Sequence, residues 1–174
     1  MSEAVRVRRL RTIDERELQG LNDVLIDCVE GGASVGFMLP MTAAKAAAFW
    51  TQVRQTVERD KRMLFVAEDA AGAVLGTVQV VIALAENQPH RGDVAKMLVH
   101  RRARRLGVGA ALLQAAEKEA RSAGKTLLVL DTATEEAARL YVRQGWQLCG
   151  TVPNYALMPD GPPCATTFYY KILP

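Results

Sequence analysis

The sequence has few residues that bind metals or form disulfides. It contains 3 cysteines and 2 histidines, and Cys28, Cys149 and Cys164 are widely spaced with no Cys-x-x-Cys pair. An odd, scattered set of this kind argues against both a disulfide framework and a zinc site. We therefore expect the three cysteine thiols to be buried or without a function, and we expect no metal site.

A long apolar run is also missing. Residues 1–12, MSEAVRVRRLRT, contain no apolar segment of the kind that a signal peptide needs. The longest apolar stretch, residues 73–85, is interrupted and too short to span a bilayer. We therefore expect a cytoplasmic protein with no membrane partner.

The chain has no large excess of charge of one sign. Its 22 basic residues nearly balance 19 acidic ones, which leaves a net charge of +3. A nucleic-acid-binding module usually has a pI above about 9, with Lys and Arg spread over one face. Here the positive charge is concentrated at residues 101–105, in the stretch HRRARRLGVGA. Nucleic acid is therefore not an expected partner.

Strand and helix patterns alternate along what we expect to be one domain, residues 1–174, of which 49% are apolar. A capping box at Thr12–Glu15 is predicted to open the first helix, and Gly31 to end it. The periodicity predicts strands at 4–10, 62–68, 74–86, 93–100, 126–132, 146–152 and 165–171, and helices to about residue 30, within 41–60, at 107–124 and within 132–146. The apolar run 126–132 is typical of a strand buried on both faces. This order predicts a mixed α/β sheet.

The glycines of the basic stretch lie between a predicted strand and a predicted helix, where free helix N–H groups bind anions. The nucleotide-binding P-loop is excluded because Ala110 and Ala111 stand where it requires Lys-Ser/Thr. The dinucleotide-binding pattern is excluded because Leu112 replaces its third glycine. The remaining pattern is Arg-x-x-Gly-x-Gly, residues 104–109, which by itself also fits a glycine-rich helix start beside solvated arginines.

The context of this motif resembles a known family. The strand KMLVH precedes it, and a helix, an apolar strand and A-x-x-L-Y-x-x-x-G-W (137–146) follow it. Over about residues 60–150 this order is similar to the acyl-CoA pyrophosphate motif and following elements of the GNAT acetyltransferase superfamily. The resemblance implies a central sheet of six to seven mostly antiparallel strands flanked by about four helices. It also implies an acetyl-CoA-dependent N-acetyltransferase.

The same resemblance implies which residues contact acetyl-CoA. These residues are Met97, Leu98, Val99, Arg104, Arg105, Leu106, Gly107, Val108, Gly109, Ala110 and Thr134. Arg104 and Arg105 are expected nearest the phosphates. Thr134 departs from the family, which often has Asn seven residues before the tyrosine of the L-Y pair. A bulge near Met97–Val99 would offer backbone N–H groups to the thioester carbonyl.

Three residues are candidates for the chemistry. The resemblance implies a carboxylate six residues before Val99, which is Asp93. Strand alternation predicts Asp93, Ala95, Met97 and Val99 on one face. The pair Gly92-Asp93 is also typical of a turn, so Asp93 is alternatively a turn residue at the start of the strand. Asp131, at the end of a strand, is a second candidate for the ammonium group, or else Asp131 or Thr132 caps the next helix. The resemblance also implies that Tyr141 protonates the departing thiolate; alternatively, Tyr141 is a half-buried aromatic of the helix.

The acceptor site has a weaker signature. EGGASVGFM (30–38), NYALMPDGPP (154–163) and TTFYYKIL (166–173) resemble segments of the tabtoxin-resistance acetyltransferases, whose family acetylates a β-lactam amino-acid toxin. Ser34, Phe37, Asp93 and Asp131 are the candidate substrate-binding residues, with Phe37 and Met38 alternatively part of the core. The loop 159–163 would cover the same pocket, and Asp160 is expected mainly to be a turn residue.

We therefore predict direct attack of a small amino-acid-like amine on acetyl-CoA in a ternary complex, and the resemblance implies toxin resistance as the role. No cysteine stands at a convincing nucleophile position, which disfavours an acyl-enzyme route. The alternatives are a protein or peptide N-acetyltransferase, or a non-catalytic module that senses acetyl-CoA or binds nucleic acid. A homodimer is left open.

Overall fold

The computed structural model describes residues 5–174 and contains one mixed sheet of seven strands. The elements are β1 Arg6–Leu10, α1 Glu15–Glu30, α2 Ala43–Glu58, β2 Arg62–Glu68, β3 Val74–Val81, β4 Arg91–Val99, a short 3-10 helix Arg101–Ala103, α3 Val108–Ser122, β5 Leu127–Thr132, α4 Glu135–Arg143, β6 Gln147–Leu157 and β7 Pro163–Ile172. The strand order is β1-β2-β3-β4-β5-β7-β6, and only β4 and β5 pair in parallel. The predicted mixed, mostly antiparallel sheet with four helices is confirmed.

The start of α1 differs from the predicted capping box by two residues. Asp14 is the N-cap: its side chain accepts from the Glu17 N–H, and the Glu17 carboxylate accepts from the Asp14 N–H. Thr12 is not available for this role because its hydroxyl donates to Glu58 at 2.8 Å. Gly31 ends the helix as predicted, with its N–H donating to Asp27.

The sheet separates two apolar layers. One layer packs α1 and α2, with Leu21 and Trp50 fully buried, against residues of β2 that include Leu64. The other packs α3 and α4 against the opposite face, around Leu112 and Leu128. Helix α1 contacts β3 and β4 and α2 contacts β2, so the early helices cover the first half of the sheet.

The predicted burial of β5 on both faces is wrong. Leu128 and Leu130 are buried against α3 and α4, whereas Leu127 and Val129 on the other face are only half-buried. The reason is that α1 and α2 pack on the β1 to β4 half of the sheet. The last strands also extend further than predicted, whereas β3 ends at Val81 rather than near residue 86.

The parallel pair β4–β5 is short. Its register joins Arg91–Asp93 to Leu127–Val129 and stops there. Beyond Asp93 the two strands are not paired, so a gap opens in the sheet on the side where β5 ends. This gap positions the candidate site.

Strand β4 is bulged at Lys96. Thr77 and Gln79 of β3 are opposite Leu98 and Ala95, so two residues of β4 face the single residue Val78. Lys96 has a φ of 51°, in the left-handed region. The bulge lies just before the predicted segment 97–99. It reverses the alternation of the strand, since Val94 packs with the α3 and α4 layer and Leu98 with the α1 and α2 layer.

The predicted common face for Asp93, Ala95, Met97 and Val99 is therefore wrong. Met97 and Val99 pack against the α3 and α4 layer, whereas Asp93 and Ala95 lie on the opposite face from Val94. One inserted residue is enough to produce this change, because side chains alternate with a period of two along a strand.

Within residues 5–174, no helix combines the length and apolar character needed to cross a membrane. The same residues contain no group of three metal-ligating side chains.

Candidate functional site

A cavity of about 990 Å³ opens in the gap between β4 and β5. Its walls come from the α1–α2 connection (31–36), β4 (94–99), the loop and first turn of α3 (103–110), the end of β5 with α4 (131–144), and the β6–β7 hairpin at Tyr155, Ala156 and Thr166. Several elements therefore converge on one space that is large enough for a sizeable ligand.

The N-terminus of α3 faces this space without a side-chain cap. Gly107 is the N-cap with a φ of 80°, and no side chain accepts from the first helical N–H groups. The first of the regular i to i−4 hydrogen bonds is the one from Ala111 to Gly107, which leaves the amides of residues 108–110 free for a ligand. A helix start of this kind carries about half a positive charge and binds anions.

Glycine is favoured at the two positions of the motif for different physical reasons. Gly107 is in the left-handed region, which favours glycine. At Gly109 a Cβ would lie 3.0 Å from Leu140 Cδ2 of α4, so glycine permits the close packing of the two helices. A side chain at either position would therefore disturb the start of α3.

The arginines divide into tethered and available ones. Asp27 of α1 accepts from the Arg101 amide at 2.8 Å and from Arg101 Nε at 2.9 Å. Burial tends to raise the pKa of Asp27, but these hydrogen bonds outweigh it and hold the pKa below its usual range. Arg104 and Arg105 line the cavity, and within residues 5–174 neither has a salt bridge. They supply positive charge beside the start of α3.

Most of the predicted cofactor residues line the cavity, but two side chains do not. Leu106 is 60% exposed, while Val108 is 1% exposed and belongs to the core. Neither residue is part of the cavity wall. Only the backbone at these two positions can serve a ligand, as the free Val108 amide would.

The edge of β4 forms one long wall of the cavity. Met97, Leu98 and Val99 line it after the bulge. The Val99 carbonyl accepts from the Cys28 thiol at 3.4 Å. Burial raises the pKa of Cys28 to about 11, so this thiol stays protonated and is a poor nucleophile.

Tyr141 presents a protonated phenol to the cavity. Its ring is 4% exposed and packs near Trp146 and Tyr169, with ring centroids 5.9 and 6.1 Å away. Burial, and secondarily the charge of Asp131, raise the pKa of Tyr141 well above its usual range. The hydroxyl makes no side-chain hydrogen bond with the described residues, so it can donate to a ligand.

Asp131 lies at the end of β5 and lines the cavity. It is exposed, and Thr166 of β7 donates to its carboxylate at 3.4 Å. The predicted alternative, in which Asp131 or Thr132 caps α4, is wrong. Thr134 is the N-cap, with its hydroxyl accepting from the Ala137 N–H at 3.3 Å. Asp131 is therefore the carboxylate of this edge that faces the open space.

Asp93 is placed differently. It is not among the residues that line the cavity, and its Oδ1 lies 3.1 Å from Arg91 Nε. The short β4–β5 pairing includes Asp93, which keeps it at the closed end of the gap. A catalytic role for Asp93 therefore stays a prediction, because Asp93 is not part of the cavity wall.

One wall of the cavity is closed by contacts between distant segments. Ser34, predicted to bind substrate, donates to the Leu157 carbonyl of the hairpin at 3.2 Å. Leu39 donates to Pro159 at 2.9 Å, so the loop 159–163 is the hairpin turn held against the α1–α2 connection. Asp160 is exposed in this turn.

Phe37 and Met38 have different environments. Phe37 is half-buried against Phe49, with ring centroids 5.2 Å apart, and it is outside the cavity wall. Met38 is 40% exposed, so its alternative assignment to the core is wrong. Phe37 supports the wall from behind.

Sequence reasoning missed Lys96. Its side chain lines the cavity, yet in the sequence it is one lysine within a strand, KMLVH. The only available signal was a charged residue between Ala95 and Met97 in an otherwise apolar segment. The bulge that aims it into the cavity is not readable from that pattern.

Comparisons with known proteins agree with this geometry. The acetyltransferase (GNAT) domain family matches residues 60–148. An uncharacterised N-acetyltransferase from the hisH–hisA intergenic region of Azospirillum brasilense is 31% identical over 129 residues, which are 73% of this chain and 74% of that protein.

Two solved structures share the fold over nearly the whole chain. An N-acetyltransferase from Staphylococcus aureus Mu50 superimposes with a TM-score of 0.80 at 22% identity, covering 98% of this chain and 99% of the other. The acetyltransferase yncA of Salmonella typhimurium, solved with its cofactor acetyl-CoA, superimposes with a TM-score of 0.78 at 21% identity, covering 98% and 95%.

Proposed function

The chain belongs to the GNAT acetyltransferase family, and from that premise we propose that it transfers an acetyl group from acetyl-CoA to the amine of a small amino-acid-like acceptor. Family membership confirms the predicted acetyl-CoA-dependent N-acetyltransferase as the enzyme class. The acceptor, the residue roles and the ternary complex are the proposal.

The phosphates of acetyl-CoA are assigned to the uncapped start of α3. The free amides of residues 108–110 and the side chains of Arg104 and Arg105 supply hydrogen bonds and positive charge on one side of the cavity. The pantetheine arm would follow the unpaired edge of β4 from Val99 toward the bulge. The bulge would offer a backbone N–H to the thioester carbonyl, where negative charge develops during attack.

The acceptor amine must lose a proton before it can attack. A primary amine with a pKa near 10 is only about 0.1% neutral at pH 7, a handicap of about 4 kcal/mol. We assign Asp131 to hold the ammonium group and accept its proton, directly or through water, because it is the carboxylate that faces the cavity from β5. Tyr141 then donates its proton to the departing thiolate.

The observation that carries the small acceptor is the closed wall. Ser34 and Leu39 of the α1–α2 connection bond Leu157 and Pro159 of the hairpin, so the acceptor end of the gap is bridged by two segments. A protein acceptor would need an open groove at this end. This observation favours the small amine over the alternative of a protein or peptide acceptor.

The closer resemblance to the tabtoxin-resistance acetyltransferases makes β-lactam amino-acid toxins lead candidates among such amines. That substrate, a role in toxin resistance, a cytoplasmic location and a homodimer stay predictions. A non-catalytic sensor would bind acetyl-CoA without turnover, and a nucleic-acid-binding module would show salt-dependent DNA affinity.

The test is thiol release from acetyl-CoA across amino acids, β-lactam amino-acid toxins, polyamines, aminoglycosides and short peptides. We expect turnover with an amino-acid-like amine and a loss of about 10²- to 10⁴-fold in kcat for Asp131→Asn. Asp23→Asn, an exposed carboxylate on α1, is the matched control. Acetyl-CoA binding without thiol release from any amine would contradict the proposal. An equal loss in Asp93→Asn alone would move the base to β4.

A further inference from the structure

Lys96 is a cation of the cavity to which the proposed chemistry gives no role. It lines the space beside Ala95 and Gly36, and among residues 5–174 its ammonium group has no hydrogen-bond or salt-bridge partner. Half-buried charges are normally paired, because removing a charge from water is costly. The missing partner is therefore expected to come from a ligand.

The bulge aims Lys96 toward the acceptor side. Met97 packs with the α3 and α4 layer, whereas Lys96 Nζ lies 5.7 Å from the ring centroid of Phe49 on α2 and 6.0 Å from that of Phe37. A Cβ at Gly36 would lie 3.5 Å from Nζ. The ammonium group therefore sits against the α1–α2 connection, away from the start of α3.

The backbone of Lys96 is held in a conformation that side chains rarely adopt. Its φ of 51° is in the left-handed region, which costs stability for a residue other than glycine. Such conformations persist where the surroundings impose them, and they cluster at functional sites. Here the conformation directs a lysine, rather than a small residue, at the cavity.

The surroundings of Lys96 disfavour its positive charge, which an anionic ligand would therefore stabilise. Burial lowers the pKa of Lys96, the neighbouring charge of Arg62 lowers it further, and Asp131 opposes both effects. Arg62 has its Nη1 on Gln79 and a buried Nε without a partner. Arg62 thus contributes a second positive charge beside Lys96, and no carboxylate of residues 5–174 forms a salt bridge with Lys96.

We propose that Lys96 binds the carboxylate of the acceptor, so that Lys96 and Asp131 together recognise the two opposite charges of an amino acid. This inference rests on the proposed function and names the feature that separates acceptors from simple amines. The two flanking aromatic rings, Phe37 and Phe49, keep the lysine in place by cation–π contact. Lys96 is a specificity residue, because it touches the acceptor away from the reacting amine.

The test compares amino acids with their own carboxamides, which lack the negative charge. For each enzyme the ratio of kcat/KM for acid and carboxamide is measured by thiol release. The difference in amine basicity within a pair cancels when the ratios of two enzymes are compared. Lys96→Met removes the charge, Lys96→Arg keeps it, and Lys118→Met on the exposed face of α3 is the matched control.

We expect Lys96→Met to lower the ratio about ten- to a hundredfold, the effect of losing a hydrogen bond to a charged group. Most of the loss should fall on the acid, Lys96→Arg should recover part of it, and the Kd for acetyl-CoA should stay within about twofold. An unchanged ratio, or equal losses on acid and carboxamide, would overturn the proposal.

Failure of the proposed function looks different, because wild-type protein would then release no thiol with any amine. In that event calorimetric titration of the same acid and carboxamide pairs into protein saturated with CoA decides the matter. Tighter binding of the acids that is lost in Lys96→Met supports the carboxylate site. Equal binding, or no binding of either compound, overturns it.

Discussion

Replacing Tyr141 with phenylalanine isolates one hydroxyl group. The residue is almost fully buried, and its ring centroid lies 5.9 Å from that of Trp146 and 6.1 Å from that of Tyr169. Because the hydroxyl makes no side-chain hydrogen bond with the described residues, its removal leaves no buried partner unsatisfied. We therefore expect the free energy of unfolding to change by no more than about 1 kcal/mol.

The effect on catalysis should be much larger. A positioned proton donor contributes about 10²- to 10⁴-fold, which corresponds to about 3–5 kcal/mol of transition-state stabilisation. Since burial raises the pKa of Tyr141, the phenol stays protonated through the neutral range. The loss in kcat for Tyr141→Phe should therefore be constant between about pH 6 and 9.

The assay is steady-state thiol release at saturating acetyl-CoA, combined with urea unfolding and a measured Kd for acetyl-CoA. A fall in kcat at unchanged stability and unchanged Kd is the expected result. Wild-type kcat in the variant would refute the donor assignment. A parallel fall in stability would show that the hydroxyl has a structural role instead.

Two further predictions concern the loop before α3. Gly107→Ala places a side chain at a φ of 80°, so it should destabilise the protein by about 1 kcal/mol and weaken acetyl-CoA binding in calorimetry; unchanged affinity would argue against the α3 amides as the phosphate site. Asp27→Asn should cost about 1–3 kcal/mol near pH 7. Because the folded pKa of Asp27 is depressed, its contribution is present above the unfolded pKa of about 3.9 and is lost as pH falls below that value. Urea unfolding should therefore show a gap between wild type and Asp27→Asn that shrinks below about pH 4, and a gap independent of pH would contradict the assignment.

Short-range patterns predicted much of the fold. Three patterns each act within a few residues of the chain: the alternation of apolar residues, Gly31 at the end of α1 and the Arg-x-x-Gly-x-Gly motif. Local patterns of this kind can be recognised in the sequence. The helix start at Gly107 is such a case, since its backbone conformation and its position before α3 are both local.

The predictions that were wrong concern features that are set by contacts between distant parts of the chain. The burial of Leu127 and Val129 depends on how far α1 and α2 extend across the sheet, which no property of β5 encodes. The bulge at Lys96 depends on the register with β3 and changes the face of every residue after it. Lys96 therefore lies in the cavity wall and Asp93 lies outside it, although neither residue type indicates this position in the sequence.

The most direct measurement follows an acetyl label from acetyl-CoA in a mixture with wild-type protein and amino-acid-like amines. The account predicts that the label appears on a small amine, one acetyl group for each thiol released, with none retained on the protein. Label found on the protein itself, or acetyl-CoA bound at the α3 site with no label transferred, would contradict direct transfer to a small acceptor.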